Sequence, residues 1–162
     1  MHWKILYSKG FHVNDMKTDL VVAGYIFNNN DVLLIKHKKL GLWLPVGGHI
    51  NRNETPDEAL LREIKEETNL NVKILSQNNI SQEGNVKKNL PVPFHANVHS
   101  VGDHDHCCFF YLCKALNQAK LRINNELDGF RWFSRKELSS KEVPADVRNI
   151  GLKAFKIYEK IK

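Results

Sequence analysis

The sequence predicts an α/β fold, a mixed β-sheet covered by helices, from three observations. Short β-rich runs alternate with polar turns, two substantial helical patterns interrupt them, and no repeat, low-complexity tract or Pro/Gly/Ser linker divides the chain. One domain over residues 1–162 is expected, with residues 1–18 as an N-terminal extension. That length is enough to bury a sizeable core.

The elements follow in order. DLVVAGYIF, the turn NNND and VLLIKHK read as a β-hairpin. LWLPV is a short apolar segment that runs into Gly47 and Gly48. The next segment is a helix: Thr55 is placed to cap it, Pro56 suits its first position, and Glu58 completes a T-x-x-E capping box. Ala59, Leu60 and Ile64 give that helix an apolar stripe, and it should end near Asn69. NVKILSQ reads as a strand and is followed by a polar loop over residues 78–89. HCCFFYLCKA is a buried strand by its aromatic and cysteine content, and GFRWFS is another strand. SRKEL opens a short helix with Ser134 and Glu137 as its capping box. From Pro144 onward Val147, Ile150, Ala154, Ile157 and Ile161 recur at threes and fours, the pattern of an amphipathic C-terminal helix.

Composition excludes several classes. Hydrophobic residues make up 42% and charged residues 26%, which is neither disordered nor fibrous. The longest apolar run, Leu20 to Phe27, is too short to span a bilayer, so no membrane partner is expected. MHWKILYSKG lacks the basic, apolar and small-residue order of a secretory signal. Cys107, Cys108 and Cys113 form no CxxC pair, which fits reduced thiols in a cytoplasmic protein, packed as small hydrophobes in a core strand. The formal net charge of +6 is spread along the chain and reads as a mildly basic surface, a weak argument for phosphate-bearing ligands.

The segment GGHINRNETPDEALLREIKEETNL carries the chemistry. On a helix Glu63 lies three residues before Glu66 and four before Glu67, so three carboxylates converge on one patch. Two like charges ~4 Å apart repel by about 4 kcal/mol at an effective dielectric of ~20. Mg²⁺ reverses the sign of that interaction, since it takes oxygen ligands and commonly bridges carboxylates to substrate phosphates. A solvated glutamate face with Arg62 and Lys65 as partners is the competing reading. The rest of the segment decides against it: a glycine turn precedes the helix, Glu54 stands just before the cap, and Arg62 directly precedes Glu63.

Gly48, Glu54, Arg62, Glu63, Ile64, Glu66, Glu67 and Leu70 stand at the spacing of the pattern G-x5-E-x7-R-E-U-x-E-E-x-G-U, with U aliphatic. Residues 47–70 therefore resemble the Nudix box, with Asn69 in place of the final glycine and Asn53 where many members carry glycine. Asparagine is the usual non-glycine residue in the left-handed conformation at a helix C-cap, so the turn at Asn69 can survive the change. The opening hairpin and the stretch ELDGFRWFSRKEL are also similar to the family, so that most of residues 19–140 is covered. The resemblance implies an α/β/α sandwich, with the mixed sheet between helices. It also implies a hydrolase of MutT-like type that cleaves a phosphoanhydride bond in a nucleoside diphosphate linked to another group. Mg²⁺ or Mn²⁺ would be held by Glu63, Glu66, Glu67 and the carbonyl oxygen of Gly48. Arg62 would pair with Glu54 to brace loop against helix. The general base stays open between Glu63 and Glu126, the latter in the loop before GFRWF.

HANVHSVGDHDHCC holds His95, His99, His104 and His106. On a strand His104 and His106 would share one face and could contact a substrate phosphate or base. A zinc site made with the nearby cysteines is the weaker alternative, because neither the spacing nor the ligand set is a recognised one. Trp43 and Trp132 are candidates to stack on a nucleobase, against the competing reading that they belong to the core. His37 and Lys38 read as a solvated strand end. The substrate is expected to be a nucleotide or a nucleotide-linked small molecule. Two alternatives stay open: an RNA 5′-end pyrophosphohydrolase, which no arginine-rich or aromatic–basic motif supports, and a non-catalytic nucleotide sensor, against which the intact carboxylates argue.

Overall fold

The computed structural model describes residues 17–76, 78 and 80–162. The N-terminal extension thus lies outside the described residues up to position 16, and so does Gln77 at the end of NVKILSQ. Eight strands and two α-helices are formed among the described residues: β1 (Thr18–Asn28), β2 (Asp31–His37), β3 (Trp43–Leu44), β4 (Val46–His49), α1 (Pro56–Thr68), β5 (Val72–Ile74), β6 (His95–Ser100), β7 (Asp105–Ala115), β8 (Leu127–Phe133) and α2 (Ala145–Ile161).

Strand β1 organises the mixed sheet. On one edge it pairs antiparallel with β4, from Val21 opposite His49 to Gly24 opposite Val46, and then with β2, where Ile26 opposes Leu33. On the other edge it runs parallel to β7, from Thr18 opposite Asp105 to Phe27 opposite Lys114. β5 and β6 pair with β7, while β3 and β8 pair with β2.

Side chains alternate across β1 and so divide the core into two layers. Val22 and Ile26 pack with Leu33, Val46 and the α1 stripe Ala59, Leu60 and Ile64. Val21, Ala23, Tyr25 and Phe27 face the other way, onto Val147, Ile150, Ala154, Phe155 and Tyr158 of α2. One helix therefore covers each face, which is the α/β/α sandwich. Tyr25, fully buried, donates its hydroxyl to the Val147 carbonyl at 2.8 Å, so α2 is tied to the sheet at its first turn.

The punctuation of α1 follows the sequence closely. The Thr55 amide donates to the Glu58 carboxylate at 2.9 Å, closing the capping box. Asn53 and Asn69 hold the left-handed conformation, φ 66° and 56°, at the two positions where asparagine replaces glycine. The Asn69 amide donates to the Lys65 carbonyl at 3.0 Å and ends the helix.

Four details differ from expectation. LWLPV is broken at Pro45 into β3 and β4, and β4 carries both glycines and His49. β6 is an additional strand whose residues alternate between half-buried and exposed. SRKEL gives only a single 3₁₀ turn, Glu137–Ser139, although the Ser134–Glu137 capping contacts form. On α2 the buried stripe takes in Phe155 and Tyr158, whereas Ile161 is exposed at the helix end.

Candidate active site

A cleft of about 720 Å³ opens where β4 meets the side of α1, and Gly47, Gly48, Glu63, Glu66, Glu67 and Glu126 line it. Its other wall is largely apolar and comes from the α2 side of the sheet, with Val21, Tyr25, Phe110, Val147 and Ile150, and with Asp146, His99 and His106 among them. The size suits a small-molecule ligand with one charged end and one apolar end.

The two glycines let β4 approach a strand on one side and a helix on the other. A Cβ at Gly47 would overlap the Val22 carbonyl of β1, and one at Gly48 would overlap the Glu63 carboxylate. With no side chain at either position, β4 lies against β1 at Gly47 and against α1 at Gly48. The Gly47 amide donates to Glu67 at 3.3 Å.

Glu67 is 8% exposed. Burial, above all, raises its pKa to about 7; the Gly47 amide opposes that rise, while the charges of Glu63, Glu126 and Glu66 add to it. A buried carboxylate ringed by three others is the donor set of a hard divalent cation, which takes oxygen ligands and lifts just this repulsion. The residues present fit such an ion.

Arg62 holds the set in place. Its Nε and Nη2 donate to the two Glu54 oxygens at 2.7 and 2.9 Å, a bidentate pair. Nη1 donates to Glu63 at 2.7 Å and to Glu66 at 3.3 Å, and Nη2 also reaches the His49 carbonyl at 3.0 Å. One guanidinium thereby ties the loop before α1, the helix itself and the end of β4. The Arg62 hydrogen bonds, first of all, and the Asn51 amide hold Glu54 down to about 2.

The histidines divide. His106 lines the cleft, at the start of β7. His104 is not on that strand: it sits in the turn between β6 and β7, so the expected shared strand face does not exist. The turn instead folds the His104 ring back until its Nε2 lies 3.0 Å from that of His106. Burial, and then the nearby His49, His104 and His99, hold His106 below the ordinary histidine range.

Trp43, the third expected substrate contact, lies outside the cleft lining. It packs edge-on against Phe133 with Lys36 and Arg131 over its ring, because Leu44 and not Trp43 takes the cleft side of β3. Trp132 is half-buried against the α1-side core. His37 does line the cleft, and all three cysteines are free thiols, two of them buried. Sequence reading missed His49 and the first turn of α2, since only tertiary pairing brings them to this place. The one available signal for His49 was its position directly after the glycine pair.

The chain belongs to the Nudix family: the model of the NUDIX domain matches residues 17–153. Over 60 residues it is 43% identical to an ADP-ribose pyrophosphatase of Methanocaldococcus jannaschii, covering 35% of this chain and 36% of that protein. Over 63 residues it is 36% identical to an 8-oxo-dGTP diphosphatase of Proteus vulgaris, covering 36% of this chain and 56% of that protein. These matched stretches therefore span well under two thirds of either relative. The fold is also that of a NUDIX-family hydrolase from Clostridium perfringens, with TM-score 0.76 and 29% identity over 86% of this chain and 97% of the other.

Proposed function

We propose that the protein hydrolyses a phosphoanhydride bond in a nucleoside diphosphate linked to another group, with Mg²⁺ or Mn²⁺ as cofactor. The observation that carries this reading is the convergence of Glu63, Glu66, Glu67 and Glu126 on one end of a cleft whose other wall is largely apolar. The substrate's diphosphate would lie at the carboxylate end, and its nucleoside or conjugated group against Tyr25, Phe110 and Ile150.

Glu63, Glu66, Glu67 and the Gly48 carbonyl would hold the cation, which supplies charge neutralisation of the diphosphate and acidifies water. The protein's own groups do the rest. Arg62 orients Glu63 and Glu66 through its two Nη1 contacts and anchors them to Glu54. For the base, hydrogen bonding supports Glu126 over Glu63: Glu63 already accepts from Arg62 at Oε1, whereas no hydrogen bond to the Glu126 carboxylate is formed among the described residues. Glu126 is thus the carboxylate free to take a proton from an attacking water. His106 is positioned to contact the substrate.

The test is a panel that includes ADP-ribose, 8-oxo-dGTP, nucleoside triphosphates and 5′-triphosphorylated RNA, assayed for nucleotide, phosphate and pyrophosphate release. Turnover of a free nucleotide or conjugate should appear with Mg²⁺ or Mn²⁺, vanish with chelator and return on metal addition. Full activity of protein verified to be metal-free, in excess EDTA, would overturn the proposal. Nucleotide binding without hydrolysis under either metal would establish the sensor instead, and activity confined to RNA would establish the RNA enzyme.

A further inference from the structure

Beside the oxygen-lined site, at the end of the sheet where β1 begins, a second group of metal-ligating side chains meets. Two pairings place it there. Antiparallel β1–β4 pairing sets His49 opposite Val21, and parallel β1–β7 pairing sets His106 opposite Asp19. Directly paired residues share a face, and Asp19 and Val21 point the same way from β1. His49, Asp19 and His106 therefore emerge on the α2 side, and the β6–β7 turn brings His104 over them. One ring nitrogen from each of His49, His104 and His106 lies within 4.8 Å of the others. Asp19 Oδ2 stands 3.7 Å from Nε2 of both His49 and His104.

We propose that His49, His104 and His106, bordered by Asp19, form a site for a transition-metal ion of the Zn²⁺ class, separate from the carboxylate site on α1. The spacing fits such an ion. Zinc–nitrogen bonds of about 2.0–2.1 Å in a tetrahedron place neighbouring donors roughly 3.3 Å apart. His104 Nε2 and His106 Nε2, 3.0 Å apart, stand near that value, and the His49 nitrogen lies within 4.8 Å of both. The tautomer fits as well. His104 Nδ1 lies 2.7 Å from the Asp103 carboxylate, which takes its N–H and leaves Nε2 as a lone pair facing the cluster. A carboxylate behind a histidine is the usual outer partner of a metal-bound imidazole.

Donor chemistry separates the two sites. Imidazole nitrogens select Zn²⁺, Cu²⁺ or Ni²⁺, whereas the all-oxygen set around Glu67 selects Mg²⁺ or Mn²⁺. A bound ion would clamp the end of β4 to the β6–β7 turn. Because Arg62 holds the His49 carbonyl and Gly48 is the preceding residue, that clamp would bear directly on the loop beside the carboxylates. Without an ion, the His104–His106 contact is a single N–H···N hydrogen bond, and this is the arrangement the experiment must distinguish.

Zn²⁺ is titrated into the full-length chain, freed of metal and kept in Mg²⁺, and followed by calorimetry, by melting temperature and by histidine ¹⁵N spectra. One equivalent should bind, raise the melting temperature further and shift the ring nitrogens of His49, His104 and His106, which Mg²⁺ alone should leave in place. His104→Ala and His106→Ala should melt like wild type without Zn²⁺ and weaken its binding by more than about a hundredfold, beyond the loss expected for an outer partner. Asp103→Asn replaces no ligand and should still weaken binding by about tenfold or more. If an alanine variant fails to fold, Asp103→Asn and the wild-type ¹⁵N shifts decide the matter alone. Glu67→Gln should bind Zn²⁺ as wild type does. Zn²⁺ binding that is absent, unchanged in His106→Ala and Asp103→Asn, or lost in Glu67→Gln would overturn the proposal.

Discussion

A methyl group added at position 47 and one added at position 48 would do different damage. At Gly47 the obstacle is the β1 backbone itself, with Ala23 Cα 2.8 Å from the new Cβ, so Gly47→Ala must pry β4 from β1. Its melting temperature should drop by several degrees, as expected for overpacking a close backbone contact. At Gly48 the obstacle is the Glu63 carboxylate, the far end of a flexible side chain. Gly48→Ala should melt within a few degrees of wild type and yet lose on the order of a hundredfold in turnover, the cost of misplacing an active-site group by about an ångström. Equal melting losses in the two variants would refute the distinction. A pH prediction belongs to Glu54. Its carboxyl is held at about 2, against an ordinary value of 4.5, first by the Arg62 hydrogen bonds. The pKa is depressed, so the stability it contributes is present above the ordinary value and lost as pH falls toward 2. Between pH 5 and 2 the wild-type melting temperature should fall more steeply than that of Glu54→Gln, and parallel curves would count against the bracing role. The box residues were readable because their work is local: helix spacing alone places Glu63, Glu66 and Glu67 together. His49, His104 and His106 meet only through β1, which pairs with β4 on one edge and with β7 on the other, and no short-range pattern records that meeting.

Among the elements, α1 was the most legible, with capping residue, proline, apolar stripe and stop signal all agreeing on one helix. Its end can be tested. Asn69 holds φ 56°, which costs a residue with an ordinary side chain about 1–2 kcal/mol. Asn69→Ala should therefore lower the melting temperature by roughly 2–6 °C, whereas Asn69→Gly should stay close to wild type. A similar loss in both would instead assign the effect to the amide that Asn69 donates to the Lys120 carbonyl at 3.1 Å. β6 escaped sequence reading for a physical reason. Among the described residues it is an outer strand pairing only with β7, its Val98 points outward at 62% exposure, and its inward residues include His95, Asn97 and His99, so hydrophobic alternation is absent. α2 was legible in period but not in phase at its end, because Phe155 packs edge-on and Tyr158 stacks on Phe27 while the stripe through Ile161 runs off the sheet.

For the molecule as a whole, a net charge of +6 sets how strongly salt should matter. A small diphosphate bound mainly at the carboxylate end releases few counterions. Efficiency on a nucleotide or conjugate should therefore fall less than about tenfold between 50 and 200 mM salt, against ~10³-fold or more for a polyanion touching many basic side chains. A steep loss would point to an extended nucleic-acid substrate. No helix among the described residues is long and apolar enough to cross a membrane.

The parallel pairing of β1 with β7 also dictates an order of events during synthesis. β1 leaves the ribosome early and finds β2 and β4 almost at once, but its second edge has no partner until the segment from Asp105 onward emerges. Until then the apolar run Leu20–Phe27 is an open edge, and α1 has only half a sheet to rest on. Such a long-range closure is slow compared with local helix and hairpin formation. Nascent chains ending at Ser100 should thus remain protease-sensitive despite carrying every residue of the box, and chains extending through Phe133 should gain protection in one step. Protection already complete at Ser100 would show that the sheet does not wait for its parallel strand.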